Sequence, residues 1–383
     1  MLIYFVTESY PDKDFPSLHI FVYEQAKELA LRGHNIVVLH VKKLSSRRIF
    51  EKIDSDIRIC DDGFAIRYVK VQKTFLGKNL HKLNRRFYTR NIIQLFEKAV
   101  NDVGCPDVIY AHFSCFAGYA ASILSMKYEI PLVTIEHYGG LLGQTISKTY
   151  KESIKCAIKQ SKAFLCVSTG LKEAINRHVD INKDLIVVSN MIDRRFKYLA
   201  PIKHDRFIFL GIGNLYKTKG FELLIRAFCN AFSVDEKVEL RIGGSGPEWR
   251  TLNQMVIKQN RMIQIKLLGN LTREQTIEEY VNCNCFVLPS QHETFGMVYR
   301  EALITGRPII TTDHGGFSGT DWHNTYGYKI NIDAEDELIV ALKEMRKNID
   351  NFDTKKISKT CELNCSAVIV GNKIENILFD AIR

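Results

Sequence analysis

The sequence contains no hydrophobic run that approaches the roughly 18 residues needed to cross a bilayer. Its first six residues, Met1–Val6, are mostly apolar, but they are fewer than the hydrophobic region of a signal peptide and no basic residues precede them. We therefore expect a cytoplasmic protein. A length of 383 residues with 46% hydrophobic content is enough for two domains, each with its own core.

Paired cysteines with the spacing of a zinc site are also lacking. The ten cysteines are scattered, and the close pairs Cys283/Cys285 and Cys361/Cys365 have no second pair beside them. We therefore expect buried free thiols, no bound metal and no cofactor.

Basic residues outnumber acidic ones, 53 to 43, for a formal charge of +10. The excess lies in residues 1–200, which hold 30 basic and 20 acidic residues, whereas residues 201–383 hold 23 of each. This asymmetry indicates that the first half meets a phosphorylated substrate, an anionic membrane or nucleic acid. Nucleic acid is the weakest of the three, because no recognised module and no interleaved stacking aromatics accompany the charge.

Strand and helix patterns alternate through both halves. In the first half, strands are predicted at 2–6, 36–39, 108–110, 132–135, 163–167 and 185–188, and helices at 18–31 and near 116–127, 152–160 and 170–178. In the second half, strands are predicted at 207–210, 238–242 and 263–268, and helices at 221–232 and near 248–259 and 272–280. Residues 41–101 are irregular and basic, as is typical of an insertion at a domain rim. The pattern predicts an α/β fold with parallel sheets covered on both faces.

The segment 285–316 reads CFVLPSQHETFGMVYREALITGRPIITTDHGG and predicts a strand, a loop, a helix from about Gly296 and a second strand. The start of a helix offers unpaired N–H groups and the positive end of a dipole, so a phosphate is well placed near Glu293. Glu301 follows eight residues later, which at 1.5 Å per helical residue puts the two carboxylates roughly 10 Å apart. That is about the span from a sugar across a diphosphate to a ribose.

This segment, with Gly306-Arg-Pro308 and Gly315-Gly316 after the helix, resembles the Glu-x7-Glu signature of retaining glycosyltransferases of the family-4 type. Two glutamates eight apart would by themselves equally fit a solvated helix face. The resemblance implies that Glu301 holds the ribose of a nucleotide-diphosphate sugar. It implies that the donor sugar and diphosphate are held by Glu293 and the residues after it: Thr294, Phe295, Gly296, Met297 and Val298.

The same resemblance implies the GT-B architecture, in which two Rossmann-like domains face a cleft. The domains would be residues 1–195 on the acceptor side and 196–366 on the nucleotide-sugar side. A terminal helix at about 367–383 would pack back on the first domain. The stretch from Asn190 through Pro201 resembles the family's connector between the domains.

A glycine-rich turn, Gly211-Ile-Gly213 through Lys219-Gly220, lies between a strand and a helix and could cradle phosphate. Alone, Lys219 would equally fit an exposed lysine at the start of a helix. The turn resembles the family's Gly-Arg-Leu and Lys-Gly elements, whose Arg and Lys hold the diphosphate. Here Asn214 stands where that Arg is expected, and we expect Lys217 to supply the missing charge.

Two further loops complete the predicted site. Gly244 and Gly246 belong to a Gly-x-Gly-Pro loop that in the family lines the donor site, although a turn needing positive φ would explain the glycines as well. His137 follows a first-domain strand, where ligands of open α/β sheets bind. The family places a histidine there against the transferred sugar, whereas a lone histidine is more often structural.

The resemblance therefore implies a retaining transferase that acts on a glycan or polyprenyl-diphosphate-linked acceptor in polysaccharide or glycolipid synthesis. We expect it to be metal-independent, because Lys219 and the amides around Phe295 and Gly296 can stabilise the diphosphate without a metal ion. Its catalytic groups would be His137, Glu293 and Lys219. Glu293 and Glu301 do not bracket one bond, as the two carboxylates of a glycoside hydrolase do. A non-hydrolysing sugar-nucleotide epimerase of the same fold and a non-catalytic nucleotide-sugar binding protein remain as alternatives.

Basic residues of the first half also indicate a membrane surface. One cluster comprises Lys42, Lys43, Arg47 and Arg48, and a second set, Lys78, Lys82, Arg85, Arg86 and Arg90, lies on a predicted helix with Leu80, Leu83, Phe87 and Tyr88. Basic residues beside an apolar stripe are typical of an interfacial helix, and each contributes about 1 kcal/mol near an anionic surface. A solvated face with ordinary core contacts would show the same pattern.

Overall fold

The computed structural model describes residues 1–12, 18–44, 57–61, 63–73, 80–143, 145–180, 182–317 and 322–383. The chain forms two compact units. The first comprises Met1–Val167, Leu171–Met191 and Ala367–Arg383, and the second comprises Ser168–Gly170 and Ile192–Ser366.

The first unit is built on an eight-stranded sheet. Its strands are β1 (Leu2–Thr7), β2 (Asn35–Leu44), β3 (Ile57–Asp61), β4 (Ala65–Lys73), β5 (Val108–His112), β6 (Leu132–Glu136), β7 (Ala163–Cys166) and β8 (Ile186–Val187). They lie in the order β3-β4-β2-β1-β5-β6-β7-β8, and all neighbours are parallel except β3 and β4. The continuous burial of β1, β5 and β6 is typical of strands covered on both faces.

Helices of the first unit are α1 (Ile20–Leu31), α2 (His81–Val103), α3 (Tyr119–Tyr128), α4 (Lys148–Gln160), α5 (Thr169–His178) and, from the chain's last segment, α12 (Ala367–Ile382). One turn of π-helix, Ser114–Gly118, precedes α3. Helix α12 packs on α1 through a carboxylate of Glu375, which bonds Arg32 at 3.1 Å and His34 at 2.7 Å.

Residues 41–101 were expected to form a rim insertion, and for the described part this prediction is wrong. Strand β4 pairs with β2 over nine residues, and α2 covers the sheet with a buried face that includes Ile92, Leu95 and Phe96. Burying each of these side chains contributes roughly 1.5–3 kcal/mol. The segment therefore extends the sheet and its core.

The second unit contains a six-stranded parallel sheet ordered β11-β10-β9-β12-β13-β14. Its strands are β9 (Phe207–Ile212), β10 (Val238–Gly243), β11 (Ile265–Gly269), β12 (Cys285–Leu288), β13 (Ile309–Thr312) and β14 (Gly327–Ile330). Its helices are α6 (Phe221–Ala231), α7 (Trp249–Lys258), α8 (Arg273–Asn282), α9 (Met297–Ile304), α10 (Glu335–Lys347) and α11 (Thr354–Cys365). The expected α/β class with two parallel-sheet domains is confirmed.

Candidate active site

Lys219 and Glu293 form an ion pair in the second unit. Lys219 Nζ donates to Glu293 Oε1 at 2.5 Å, and the two side chains are only 23% and 13% exposed. They meet because β9 and β12 are adjacent parallel strands, so the loops that follow them leave the same edge of the sheet. Two of the predicted catalytic residues are thus brought together.

Close contacts between the loops at this edge require glycine. Gly220 has a left-handed φ of +73°, and a Cβ there would lie 2.2 Å from the carbonyl oxygen of Pro289. Gly244 has a φ of +135°, and its Cβ would lie 1.9 Å from the carbonyl oxygen of Gly213. At Gly246 the same clash would involve the Leu215 carbonyl, at 2.6 Å. These positions hold the β9, β10 and β12 loops together whatever ligand they bind.

Glu301 lies on α9 and is almost fully buried, with 3% of its side chain exposed. Its Oε1 accepts a hydrogen bond from Arg273 Nη1 at 2.7 Å, and its Oε2 accepts one from the Tyr280 hydroxyl at 3.3 Å. Arg273 Nε also lies 3.8 Å from Asp193 Oδ2. Sequence patterns did not indicate Arg273 or Tyr280, because both belong to α8 and reach Glu301 only through the fold.

The residues between the two glutamates form the loop and the first turn of α9. Gly296 caps the helix with a φ of +75°, and Phe295 and Gly296 are buried, while Thr294, Met297 and Val298 are half-buried. The Val298 carbonyl accepts from the Tyr280 hydroxyl at 2.8 Å. The first N–H groups of α9 have no acceptor within the helix, which is where an anion is favoured.

Asn214 and Lys217 are exposed on the β9 loop. Lys217 opens the 3-10 turn Lys217–Lys219, and among the described residues no carboxylate pairs with its ammonium group. Its charge is therefore available to a ligand, whereas the Lys219 ammonium group is shared between Glu293 and any ligand that binds there.

His137 follows β6 in the first unit and is buried. Its ring stacks on Phe21 with centroids 4.3 Å apart and lies parallel to the ring of His112, at 5.3 Å. His112 Nδ1 and His137 Nε2 are 3.2 Å apart, so one imidazole donates to the other. His112 was not predicted from the sequence, although it too ends a buried strand, β5.

Electrostatics keep this histidine pair neutral. Burial lowers the pKa of His112 to about 3. Burial, followed by the neighbouring His112 and His19, holds the pKa of His137 well below its usual value, against a smaller opposing effect of Asn190. A neutral imidazole can donate or accept a hydrogen bond without adding charge.

Glu136 precedes His137 and is fully buried. It accepts hydrogen bonds from the amides of Ser114, His137 and Tyr138 at 2.8–3.0 Å, and from the Ser114 hydroxyl. Burial raises the pKa of Glu136, and these hydrogen bonds oppose that rise. The donors fix the backbone that carries His137.

Within the part of the chain that the structure describes, no group of three or more His, Cys, Asp or Glu residues is placed to hold a metal ion. Asp-x-Asp occurs twice in the sequence, as Asp12-Lys-Asp14 and Asp54-Ser-Asp56, and of these four aspartates the structure describes only Asp12. None of the described helices is long and apolar enough to span a membrane.

Two family models match the chain. The model described as Glycosyltransferase Family 4 matches residues 18–196, and the one described as Glycosyl transferases group 1 matches residues 195–359. Together they cover both units.

Curated relatives match at moderate identity. The putative teichuronic acid biosynthesis glycosyltransferase TuaC of Bacillus subtilis is 25% identical over 83% of this chain and 82% of its own. The uncharacterized glycosyltransferase MJ1178 of Methanocaldococcus jannaschii is 25% identical, and that match spans 62% of this chain and 64% of the relative, a little under two thirds of its length.

Solved structures share the fold over nearly the whole chain. Sucrose-phosphate synthase from Thermosynechococcus elongatus aligns with a TM-score of 0.79 at 16% identity, covering 99% of this chain and 98% of that one. The Anabaena protein HepE in complex with UDP-glucose aligns with a TM-score of 0.71 at 18% identity, covering 99% and 100%. These alignments identify the architecture as GT-B.

Proposed function

The chain belongs to the family-4 type of glycosyltransferases, and on that premise we propose that it moves a sugar from a nucleoside-diphosphate sugar to an acceptor with retention of configuration. The observation that carries this proposal is the Lys219–Glu293 pair in the loop before α9, with Glu301 about one helical turn inside that helix. The arrangement offers a cation for a diphosphate, a carboxylate for a sugar and a second carboxylate for a ribose.

In this proposal the diphosphate leaving group is stabilised by Lys219, by Lys217 and by the first amides of α9. Negative charge grows on the leaving oxygens during transfer, and donors that already point at that position lower the barrier without reorganisation. The ribose binds Glu301. The complex of HepE with UDP-glucose supports a uridine nucleotide as the first donor to test.

We propose that the β-phosphate takes the acceptor's proton, while neutral His137 binds the transferred sugar. A teichuronic acid enzyme among the relatives favours a cell-surface glycan as the product, made on a glycan or polyprenyl-diphosphate acceptor.

The test begins with UDP-, GDP- and ADP-sugars in a thermal-shift screen, because a ligand at 100 times its Kd stabilises by about 2.7 kcal/mol. The stabilising donor is then incubated with glycan and polyprenyl-diphosphate acceptors, and the product's anomeric configuration is read by NMR. We expect a new glycoside with the donor's configuration. Epimerised donor without acceptor would identify an epimerase, and binding without any turnover would identify a binding protein.

We expect Lys219→Ala to lower kcat/KM about 50-fold and Lys217→Ala about tenfold, with the double variant well short of the product of the two effects. Both charges act on one diphosphate, so their costs couple at close range. Steady-state kinetics on the three variants measure the coupling, with the exposed Lys258→Ala on α7 as the control. Wild-type kinetics for Lys217→Ala would show that Asn214 is not compensated there.

A membrane surface remains part of the proposal, but with a corrected set of residues. Arg85 was expected on the membrane face, yet it is buried and donates to Ser153 Oγ at 2.6 Å and to the Thr149 carbonyl at 3.1 Å, over the ring of Tyr119. Tyr88 is likewise buried. An arginine on a basic helix can thus point inward, because its planar guanidinium group donates several hydrogen bonds to buried acceptors.

The exposed side of α2 nevertheless combines charge with apolar surface. We name as the α2 face the exposed residues Lys82, Leu83, Arg86, Phe87 and Arg90. Arg86 and Arg90 also border a groove of about 310 Å³ whose apolar wall includes Ile93 and Ile123. Lys78, Arg47 and Arg48 lie outside the described residues, and Lys42 forms an ion pair with Asp12 at 2.6 Å.

We expect the protein to float with anionic vesicles at low salt, and Arg86→Glu/Arg90→Glu to abolish this flotation while donor binding is unchanged. Each basic residue near an anionic surface contributes about 1 kcal/mol, so reversing two charges removes most of the attraction. Lys151→Glu/Lys155→Glu on α4 makes the same change in charge on exposed residues elsewhere in the unit. Equal loss in both variants would show attraction by net charge alone, and no flotation of the wild type would remove the membrane from the proposal.

A further inference from the structure

Arg300 is a buried arginine directly before Glu301, in the segment 293–301 that we propose binds the donor. It is 5% exposed, and among the described residues no carboxylate pairs with it. Its Nη2 donates to the Gly316 carbonyl at 2.8 Å, and its Nη1 donates to the Phe295 carbonyl. Its charged plane lies 3.8 Å from the ring centroid of Phe295 and 4.1 Å from that of Phe317.

A buried cation without a carboxylate is expensive, since its effective desolvation penalty is several kcal/mol. Charge-assisted hydrogen bonds to two carbonyls and two aromatic faces offset that penalty. Both carbonyls belong to loops at the donor edge of the sheet: Phe295 precedes the cap of α9, and Gly316 lies in the turn after β13. Arg300 therefore ties these two loops to the helix between them.

His314 accepts a hydrogen bond from the amide of Gly316, the residue whose carbonyl binds Arg300. The Gly316 amide donates to His314 Nδ1 at 3.1 Å, so the ring carries its proton on Nε2, which donates to Thr311 Oγ1 at 3.0 Å. His314 is buried. Burial, followed by the charges of Arg300 and Lys219, lowers the pKa of His314 to about 3, which keeps Nδ1 available as an acceptor.

Gly316 is thus held through its amide by His314 and through its carbonyl by Arg300. It also lies so close to the donor loop that a Cβ would be 3.0 Å from the carbonyl carbon of Phe295. The two loops are therefore in van der Waals contact and are joined by shared hydrogen bonds, so we expect displacement of one to displace the other.

We infer that Arg300 and His314, together the Gly316 clamp, are positioning residues that fix the loop Phe295–Met297 in the orientation in which its amides meet the donor. The inference rests on the proposed function for the identity of the ligand, but the clamp itself is a property of the unliganded protein. A displacement of catalytic groups of about 1 Å can cost about 100-fold in rate. Loss of the clamp therefore acts on the donor and leaves the acceptor alone.

The chain supplies a matched control. Arg307, just past the end of α9, is also fully buried and donates to main-chain carbonyls, those of Tyr280 at 2.7 Å, Leu199 at 2.8 Å, Thr305 at 2.9 Å and Val281 at 3.0 Å. None of these carbonyls belongs to the donor loops. Arg307→Met removes the same chemistry from the same unit without touching the clamp.

The first measurement needs no ligand. Hydrogen exchange by mass spectrometry on Arg300→Met, His314→Leu and Arg307→Met should show at least about tenfold faster exchange of the peptides covering residues 290–300 and 311–317 in the first two variants only. His314→Asn, whose side-chain oxygen can replace Nδ1 as the acceptor, should exchange like the wild type. Unchanged exchange in Arg300→Met, or equal acceleration in Arg307→Met, would overturn the inference.

The second measurement links the clamp to the donor. Calorimetry with UDP, GDP or ADP should show about 10- to 100-fold weaker binding to Arg300→Met and about tenfold weaker binding to His314→Leu, whereas His314→Asn should bind like the wild type. Steady-state kinetics should show an unchanged KM for the acceptor in all three variants. The double variant should be little worse than Arg300→Met alone, because both residues hold one peptide. Additive losses would contradict a shared clamp. If the exchange result holds but no nucleotide binds even the wild type, the proposed function fails and the clamp stands.

Discussion

Glu293→Gln is expected to lower kcat about 100-fold while the donor KM changes by less than about threefold. Positive charge develops on the sugar only as the bond to the diphosphate breaks, so a neighbouring carboxylate stabilises the transition state more than the bound donor. A hundredfold loss corresponds to about 2.7 kcal/mol. Lys219 keeps its charge in this variant and remains able to hold the diphosphate, which preserves affinity. Initial rates over a range of donor concentrations separate the two constants.

The control for Glu293→Gln is a glutamate that also forms an ion pair but lies outside the candidate site. Glu335 on α10 accepts from Arg226 Nε at 2.9 Å on the surface of the same unit. Glu335→Gln is expected to leave both constants unchanged, since exposed pairs contribute little. A folded Glu293→Gln protein with the wild-type kcat would end the assignment of this site.

Glu301→Gln is expected to weaken donor binding about 30-fold, with little change in kcat at saturation. Ribose hydroxyls are bound alike before and during transfer, so this contact contributes to affinity and not to turnover. The variant should also be less stable, because Arg273 loses its main carboxylate partner. Arg273 is 24% exposed, so we expect a loss of about 1–3 kcal/mol, below the 3–5 kcal/mol of a fully buried pair.

The double variant Glu301→Gln/Arg273→Met separates these two roles. Removing the cation should restore much of the melting temperature, whereas donor binding, measured by calorimetry with the nucleotide sugar, should remain weak. Restored affinity in the double variant would mean that Glu301 serves only to neutralise Arg273. In that case the ribose contact would have to be sought elsewhere.

Strands buried on both faces were predictable because an apolar run is visible in the local sequence, as at β1, β5 and β6. Strand β4 was not, because Arg67 interrupts its pattern. Arg67 is buried nonetheless, since it donates to the Pro11 carbonyl at 2.8 Å and lies 5.0 Å from the ring centroid of Tyr10. These contacts join segments 56 residues apart, and no local pattern contains them.

The candidate site divides in the same way. Lys219 and Glu293 were indicated by their own loops, but that they form one pair follows from the adjacency of β9 and β12 in the sheet. Arg273 contacts Glu301 and His112 contacts His137 only because of the tertiary fold of each unit, which the local sequence does not show. Arg85 shows the reverse error: helical periodicity places it near a basic face, and only the packing of α2 shows that it points inward.

Two of the seven residues between Glu293 and Glu301 attach α9 to neighbouring strands and turns. The Tyr299 hydroxyl donates to the Leu288 carbonyl at 2.6 Å, fastening α9 to the end of β12, while Arg300 fastens it to the turn after β13. In this protein the residues between the two glutamates therefore make contacts that orient both carboxylates. Placing only the two glutamates on another strand–loop–helix unit would therefore not recreate the site, because the contacts of Tyr299 and Arg300 that orient the carboxylates would be missing.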